Sequence, residues 1–98
     1  MQSAKIKMLV EWRPDASASL REILGYISER NLIAAFNLGE EIERATSALP
    51  QHPYLYRLGK VVGTREMVVH PNYVVIYRVT ISAIEIINIL HSRQQYPS

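Results

Sequence analysis

The chain has 98 residues, of which 48% are hydrophobic, and its formal net charge is +2. This length predicts one domain covering residues 1–98, and the hydrophobic share excludes a mainly disordered chain. The sequence contains no cysteine, which excludes disulfides, zinc–thiolate sites and cysteine nucleophiles and favours a reducing cytoplasm. No apolar run approaches the roughly 18 residues of a membrane span, so we expect no membrane partner.

Charge is divided unevenly along the chain. Residues 1–56 carry six Lys and Arg against seven Asp and Glu, whereas residues 57–98 carry five against two. An anion-facing surface would therefore belong to the C-terminal part, although small domains also reach such asymmetry by chance. The total number of Lys and Arg residues is low for a protein that binds a nucleic-acid backbone over a large area.

The N-terminal segment predicts a half-buried strand from Lys5 to Trp12. Apolar side chains alternate with others over this stretch, and Trp12 continues the apolar phase. Met8 is a second possible start codon. In that case residues 1–7 are an extension that the domain does not need.

Two amphipathic helices are expected next. Pro14 and Asp15 suit a first helical turn, and this helix should end at Arg30-Asn31, because Asn tolerates the left-handed conformation of a helix C-cap. A second helix runs from about Ile33 to Leu49 and is stopped by Pro50. The short connection predicts an antiparallel helical hairpin. Its apolar faces keep three- and four-residue spacing: Leu20, Ile23, Leu24 and Ile27 in the first helix, and Ala35, Leu38, Ile42, Ala45 and Leu49 in the second.

Tyr26 and Phe36 lie off these two apolar faces. Such aromatic residues on a hairpin usually pack at the edge of the hydrophobic core. The alternative is a docking surface for a partner peptide.

The last third of the chain predicts a meander of three strands. After an irregular connection from Gln51 to Gly63, the strands should cover about Arg65–Val69, Tyr73–Thr80 and Ile84–Leu90. Both faces of the middle strand are largely apolar, which predicts a central position in the sheet. Together with the N-terminal strand this gives an α+β fold with a four-stranded sheet and a helical hairpin.

The sequence offers no conventional metal or cofactor site. Its three histidines, His52, His70 and His91, lack the spacing of metal ligands, and no Gly-rich phosphate loop is present. Glu66 and Glu85 are expected to be solvent-facing strand residues rather than a catalytic carboxylate pair. We therefore predict neither metal nor cofactor.

Seven basic, histidine or tyrosine residues remain as candidates for chemistry: Arg57, Lys60, Arg65, Arg78, His91, Arg93 and Tyr96. Arg65, His91, Arg93 and Tyr96, at the rim of the meander, are the predicted site. Without a metal, such a set could cleave RNA, with His91 as base or acid and arginines stabilising the charge that develops on the phosphate. The alternative is that His91 caps a strand and the arginines are surface charges. Residue types alone leave both interpretations open, and so they leave open whether the protein is an enzyme.

The segments GTREMVVHPNYVVIYRV and IEIINILHSRQQYP resemble the RelE/ParE superfamily of bacterial toxins. The resemblance extends from about Met8 to Pro97. It implies a sheet with a helical hairpin and a toxin encoded beside an antitoxin, whose C-terminal segment wraps and neutralises it. The expected assembly is therefore a hetero-oligomer with that antitoxin, with Tyr26 and Phe36 as candidate contacts.

The superfamily has two branches with different targets. ParE-like toxins poison DNA gyrase, and RelE-like toxins cleave mRNA on the ribosome. The strand ending in His91 is more similar to ParE, and Lys60 stands almost alone where RelE-type nucleases tend to carry several cations. We therefore favour a ParE-like gyrase inhibitor. The alternatives are a ribosome-dependent mRNA endonuclease using Arg65, His91, Arg93 and Tyr96, and a binding module that has lost its toxicity.

Overall fold

Five strands and two helices make up residues 8–94, the part of the chain that the computed structural model describes. The elements in chain order are β1 (Leu9–Trp12), α1 (Pro14–Ser28), α2 (Leu32–Ser47), a single 3₁₀ turn (Leu49–Gln51), β2 (Arg57–Leu58), β3 (Arg65–His70), β4 (Tyr73–Val79) and β5 (Ala83–His91). The predicted α+β order of strand, two helices and meander is confirmed.

The strands form one mixed sheet in the order β1-β5-β4-β3-β2. β1 runs parallel to β5, and every other neighbouring pair is antiparallel. β4 occupies the centre of the sheet, as its apolar faces predict. The four consecutive residues of β4 from Val74 to Tyr77 are all buried.

The predicted count of four strands is wrong, because β2 adds a fifth. It lies within the segment Gln51–Gly63, which was expected to be irregular, and pairs Arg57 with Glu66 and Leu58 with Arg65. Two residues are too few for an alternation of apolar and polar side chains to be recognised, so only the pairing with β3 reveals this strand.

The helices cover one face of the sheet. The second helix ends at Ser47, two residues before the predicted end, and Leu49 lies in the 3₁₀ turn. Leu38, Ile42 and Leu49 from the predicted apolar face are buried and join Val75 and Tyr77 in the core. The predicted stripe of α1 packs against the same cluster. Because side chains alternate along a strand, the remaining residues of β3 and β4 point away from the helices, and we call this side the outer face. It carries Glu66, Val68, Val74, Ile76 and Arg78.

The predicted role of Asn31 as a C-cap of the first helix is wrong. α1 ends at Ser28, and Asn31 is instead the N-cap of α2, where its Oδ1 accepts a hydrogen bond from the backbone N–H of Ala34 at 3.0 Å. Its φ of −156° is extended rather than left-handed. Asn suits both positions, and with only three residues between the helices the local sequence does not separate them.

Three predictions concern residues outside 8–94. They are the beginning of the first strand at Lys5, the extension 1–7 and the site residue Tyr96.

Candidate functional site

Arg65 begins β3 and anchors a neighbouring loop. Its Nη1 donates hydrogen bonds to the backbone oxygens of Tyr56 at 2.8 Å and Tyr54 at 3.3 Å, and its guanidinium carbon lies 5.1 Å from the centre of the Tyr54 ring. These bonds satisfy two carbonyl groups of the loop before β2. In this arrangement Arg65 holds the chain that leads into β2.

Tyr77 reinforces the same anchor from β4, directly opposite Arg65 in the strand register. Its hydroxyl donates a 2.7 Å hydrogen bond to the backbone oxygen of Pro53, and its ring meets that of Tyr56 edge to face. Burial raises the pKa of Tyr77 above its ordinary value of 10.0; the positive charge of Arg65 lowers it and Tyr56 raises it. The phenol is therefore a proton donor at neutral pH.

His91 ends β5, where its ring packs edge to face on Tyr73 at 5.4 Å between ring centres. His70 lies on the other side of the same tyrosine at 5.8 Å. Nδ1 of His91 accepts a hydrogen bond from the backbone N–H of Arg93 at 3.1 Å. In the neutral ring the proton then sits on Nε2, so the outward nitrogen donates, whereas a general base would have to accept.

Of the predicted site residues within 8–94, Arg65 lies apart from His91 and Arg93. Arg65 pairs with Tyr77, and His91 pairs with Tyr73. Tyr77 and Tyr73 are four residues apart on β4, which is about 13 Å along the strand. Arg65 on β3 and His91 on β5 are also two strand spacings apart, about 10 Å across the sheet. Arg93 is exposed beside His91, and Tyr96 lies outside the described residues.

The His91 ring lies against Tyr73 on the helix side of the sheet, but the end of β5 also borders the outer face, where β2 and the turn after it supply cations. A cavity of about 80 Å³ is lined by Arg57, Lys60 and Glu66 from this side and by His91 and Gln94 from the end of β5, together with Val74, Leu90 and Ser92. Arg57 and Lys60 were recognised in the sequence as basic residues, but their proximity to His91 depends on β2.

The expectation that Glu66 faces solvent is wrong. Glu66 is only 7% exposed and accepts a 2.6 Å hydrogen bond from Nε of Arg57. A carboxylate that is this buried requires a charged partner. The partner is nine residues away in sequence and is placed by the pairing of β2 with β3, which local patterns do not show.

A second, more apolar groove of about 270 Å³ lies between α1 and the ends of β4 and β5. It is lined by Ile23 and Tyr26 from α1 and by Tyr73 and His91 from the sheet, with Glu22 and Gln94 at its edge. Tyr26 is 60% exposed and Phe36 on α2 is 67% exposed, so neither side chain packs at the edge of the hydrophobic core. Both are available to a partner.

Among residues 8–94, no group of three or more His, Cys, Asp or Glu side chains is arranged to hold a metal ion. Nor does that part of the chain include a helix long and apolar enough to cross a membrane.

Solved structures that match this fold include parts of toxin–antitoxin systems. The chromosomal ParDE system from Pseudomonas aeruginosa matches with a TM-score of 0.79 and 21% identity, over 89% of this chain and 98% of the matched chain. The Escherichia coli DinJ–YafQ toxin–antitoxin complex matches with a TM-score of 0.61 and 15% identity, over 88% and 93%. At these identities the structures establish the fold.

Sequence comparison narrows this class to a family. The family model described as "ParE toxin of type II toxin-antitoxin system, parDE" matches residues 10–96. A Sinorhizobium fredii (strain NBRC 101917 / NGR234) protein named "Putative toxin Y4kP" is 33% identical over 89 residues, covering 90% of this chain and 92% of that protein. The chain belongs to the ParE toxin family of type II toxin–antitoxin systems.

Proposed function

We propose that this ParE-type toxin arrests growth by inhibiting DNA gyrase and that the antitoxin encoded beside it neutralises it by covering its surface. The observation that carries the choice of target is the ion pair between Arg57 and Glu66 on the outer face. A ribonuclease would need cations on this face that no anion neutralises, so that they can stabilise the negative charge of the phosphorane. Here the buried Glu66 carboxylate lies beside the Arg57 cation and neutralises it.

The charge balance elsewhere on the outer face supports the same choice. A broad cavity of about 540 Å³ lies where α1 begins, and its two arginines, Arg13 and Arg78, are matched by two carboxylates, Asp15 and Glu85. Arg78 lies 3.8 Å from Glu85. Arg65 is committed to the carbonyl oxygens of the loop before β2. These arrangements suit a protein-binding surface better than a phosphate cradle.

The hairpin supports the proposed antitoxin contact. Leu32 and Ile33 at the start of α2 are more than 70% exposed, and with Tyr26 and Phe36 they form an apolar surface that we call the hairpin surface. An amphipathic helix of the antitoxin would bury it and form a hetero-oligomer. The groove that holds Tyr26 also holds His91, so an antitoxin seated there would reach the end of β5. The Pseudomonas and Escherichia coli structures are a toxin–antitoxin system and complex by name.

The proposal is tested with purified toxin in two assays. In a DNA supercoiling assay with gyrase, we expect inhibition that added antitoxin reverses. In a ribosome assay on a defined mRNA, we expect intact message. Normal supercoiling at toxin concentrations far above those that arrest growth would overturn the choice of gyrase.

The cavity around His91 favours one second candidate, a ribosome-dependent mRNA endonuclease. His91 would act as base or acid, with Arg65 and Arg93 stabilising phosphate charge and Tyr96 as an accessory residue. The supporting observation is that His91, Arg57 and Lys60 line one cavity. Under this hypothesis His91→Gln would abolish mRNA cleavage in the same ribosome assay.

A further inference from the structure

The segment around β2 carries a second exposed apolar surface. Five large apolar side chains within nine residues are between 43% and 97% exposed, and we call them the β2 rim: Tyr54, Leu55, Leu58, Val61 and Val62. Isolated exposed apolar residues are common, but a run of this density is unusual for a solvated loop and is typical of an interaction surface.

The backbone under the β2 rim is held in place from the inside. Arg65 and Tyr77 fix residues 53–56 through their bonds to three carbonyl oxygens. Thr64 is 3% exposed and holds the following turn, because its Oγ1 donates to the oxygen of Val61 at 2.6 Å. Two buried side chains, Tyr77 and Thr64, and the half-buried Arg65 thus determine the path of the chain, while its apolar side chains point to solvent. Such preorganisation lowers the entropic cost of binding.

The β2 rim also lies at an open sheet edge with basic surroundings. β2 is the outermost strand, so one side of its backbone faces no neighbouring strand within residues 8–94. Arg57 and Lys60 interleave with the apolar residues, and residues 57–98 have a net charge of +3. Two cations are too few to bind a nucleic acid over a large area. The surface suits an extended polypeptide with apolar and acidic side chains that pairs along β2.

The β2 rim is separate from the hairpin surface. The hairpin surface gathers around the start of α2, and the β2 rim follows the end of that helix. The 16 residues of α2 span about 24 Å. A different partner can therefore bind at each of the two surfaces.

We propose that the β2 rim is the surface with which the toxin docks on its protein target, through an extended acidic segment of that target. This inference rests on the proposed function, because it requires a protein target. It assigns to Arg65 and Tyr77 a positioning role, that of shaping the docking surface.

The test compares Leu55→Asp/Leu58→Asp with Ile81→Asp, a control at a 99% exposed position in the turn between β4 and β5. Each full-length variant is measured for melting temperature, antitoxin affinity, induced growth arrest and gyrase inhibition. We expect the double variant to need at least about tenfold more toxin for arrest and for gyrase inhibition. It removes two leucines that the target would bury, and it places two carboxylates against an acidic segment. Its antitoxin affinity should stay within about twofold of the wild-type value, and Ile81→Asp should match the wild type throughout.

The outcomes separate this inference from the proposed target. Growth arrest by the wild type without gyrase inhibition overturns the gyrase proposal, and the growth assay still tests the rim. A folded double variant that arrests growth as the wild type does overturns the rim, as does a parallel loss of antitoxin affinity. The rim is also overturned if Tyr54→Ala and Lys60→Gln impair toxicity while the leucine variant does not, which would indicate a nucleic acid. It is likewise overturned if sedimentation shows that these leucines only join two copies of the chain.

Discussion

Arg57 and Glu66 face each other across the β2–β3 ladder, and the Arg57 Nε lies 2.6 Å from the Glu66 carboxylate on the outer face of the sheet. The two partners differ in burial, since the side chain of Arg57 is 63% exposed and that of Glu66 is 7% exposed. The pair therefore joins the short edge strand to the sheet and neutralises charge beside His91. Both effects fit a toxin that binds a protein.

The unequal burial predicts unequal effects of mutation. Arg57→Ala should lower the free energy of unfolding by about 1–2 kcal/mol, because it leaves a buried carboxylate without its partner. Glu66→Gln should cost less than about 1 kcal/mol, because Arg57 can return to water and the amide oxygen still accepts a bond. Urea denaturation measures both. Arg78→Ala is the control, since its pair with Glu85 is longer, at 3.8 Å, and the Glu85 carboxylate is more exposed than that of Glu66. Equal losses for Arg57→Ala and Glu66→Gln would contradict this account.

Tyr77→Phe tests the anchor of the loop before β2. The change keeps the buried ring and removes only the hydrogen bond to Pro53, so we expect a loss of about 1 kcal/mol in the free energy of unfolding. Hydrogen exchange should quicken in residues 53–58 and stay unchanged in α1. Tyr26→Phe, at an exposed tyrosine, should change neither quantity. Unaltered exchange in residues 53–58 of the Tyr77→Phe variant would count against the anchor.

The raised pKa of Tyr77 predicts a loss of stability in alkali. Between the ordinary value of 10.0 and the higher folded-state value, the folded chain holds a proton that the unfolded chain has released. The contribution of Tyr77 is therefore complete below pH 10 and is lost as the pH rises through the folded-state pKa. Unfolding of wild type and Tyr77→Phe should be compared from pH 9 to 11. The variant should show the shallower decline, and parallel curves would show that Tyr77 is not responsible.

Much of the fold follows from side-chain periodicity, because burial on one face repeats with the geometry of each element. The bounds of β3, β4 and β5 differ from the predicted bounds by at most one residue at each end, and the apolar stripe of α2 is buried as expected. What escaped prediction depends on pairing between distant segments. β2 exists only against β3, and the burial of Glu66 follows from it. The main-chain partners of Arg65 depend in the same way on the path of residues 53–58.

Phe36→Asp tests the hairpin surface as the antitoxin contact. Placing a charge in a buried apolar interface should weaken antitoxin binding by at least about tenfold, because the aromatic contact is lost and a carboxylate is desolvated. Toxicity in the absence of antitoxin should persist. Isothermal titration with the antitoxin measures the affinity, and Ile81→Asp is the matched control. If Phe36→Asp bound the antitoxin as tightly as the control, the contact would have to lie elsewhere.

The most direct test of the central claim adds purified wild-type toxin to gyrase and, separately, to translating ribosomes. The account predicts that supercoiling falls with toxin concentration, that antitoxin restores it, and that the mRNA remains whole. Cleaved mRNA together with undiminished supercoiling would contradict it and favour the nuclease.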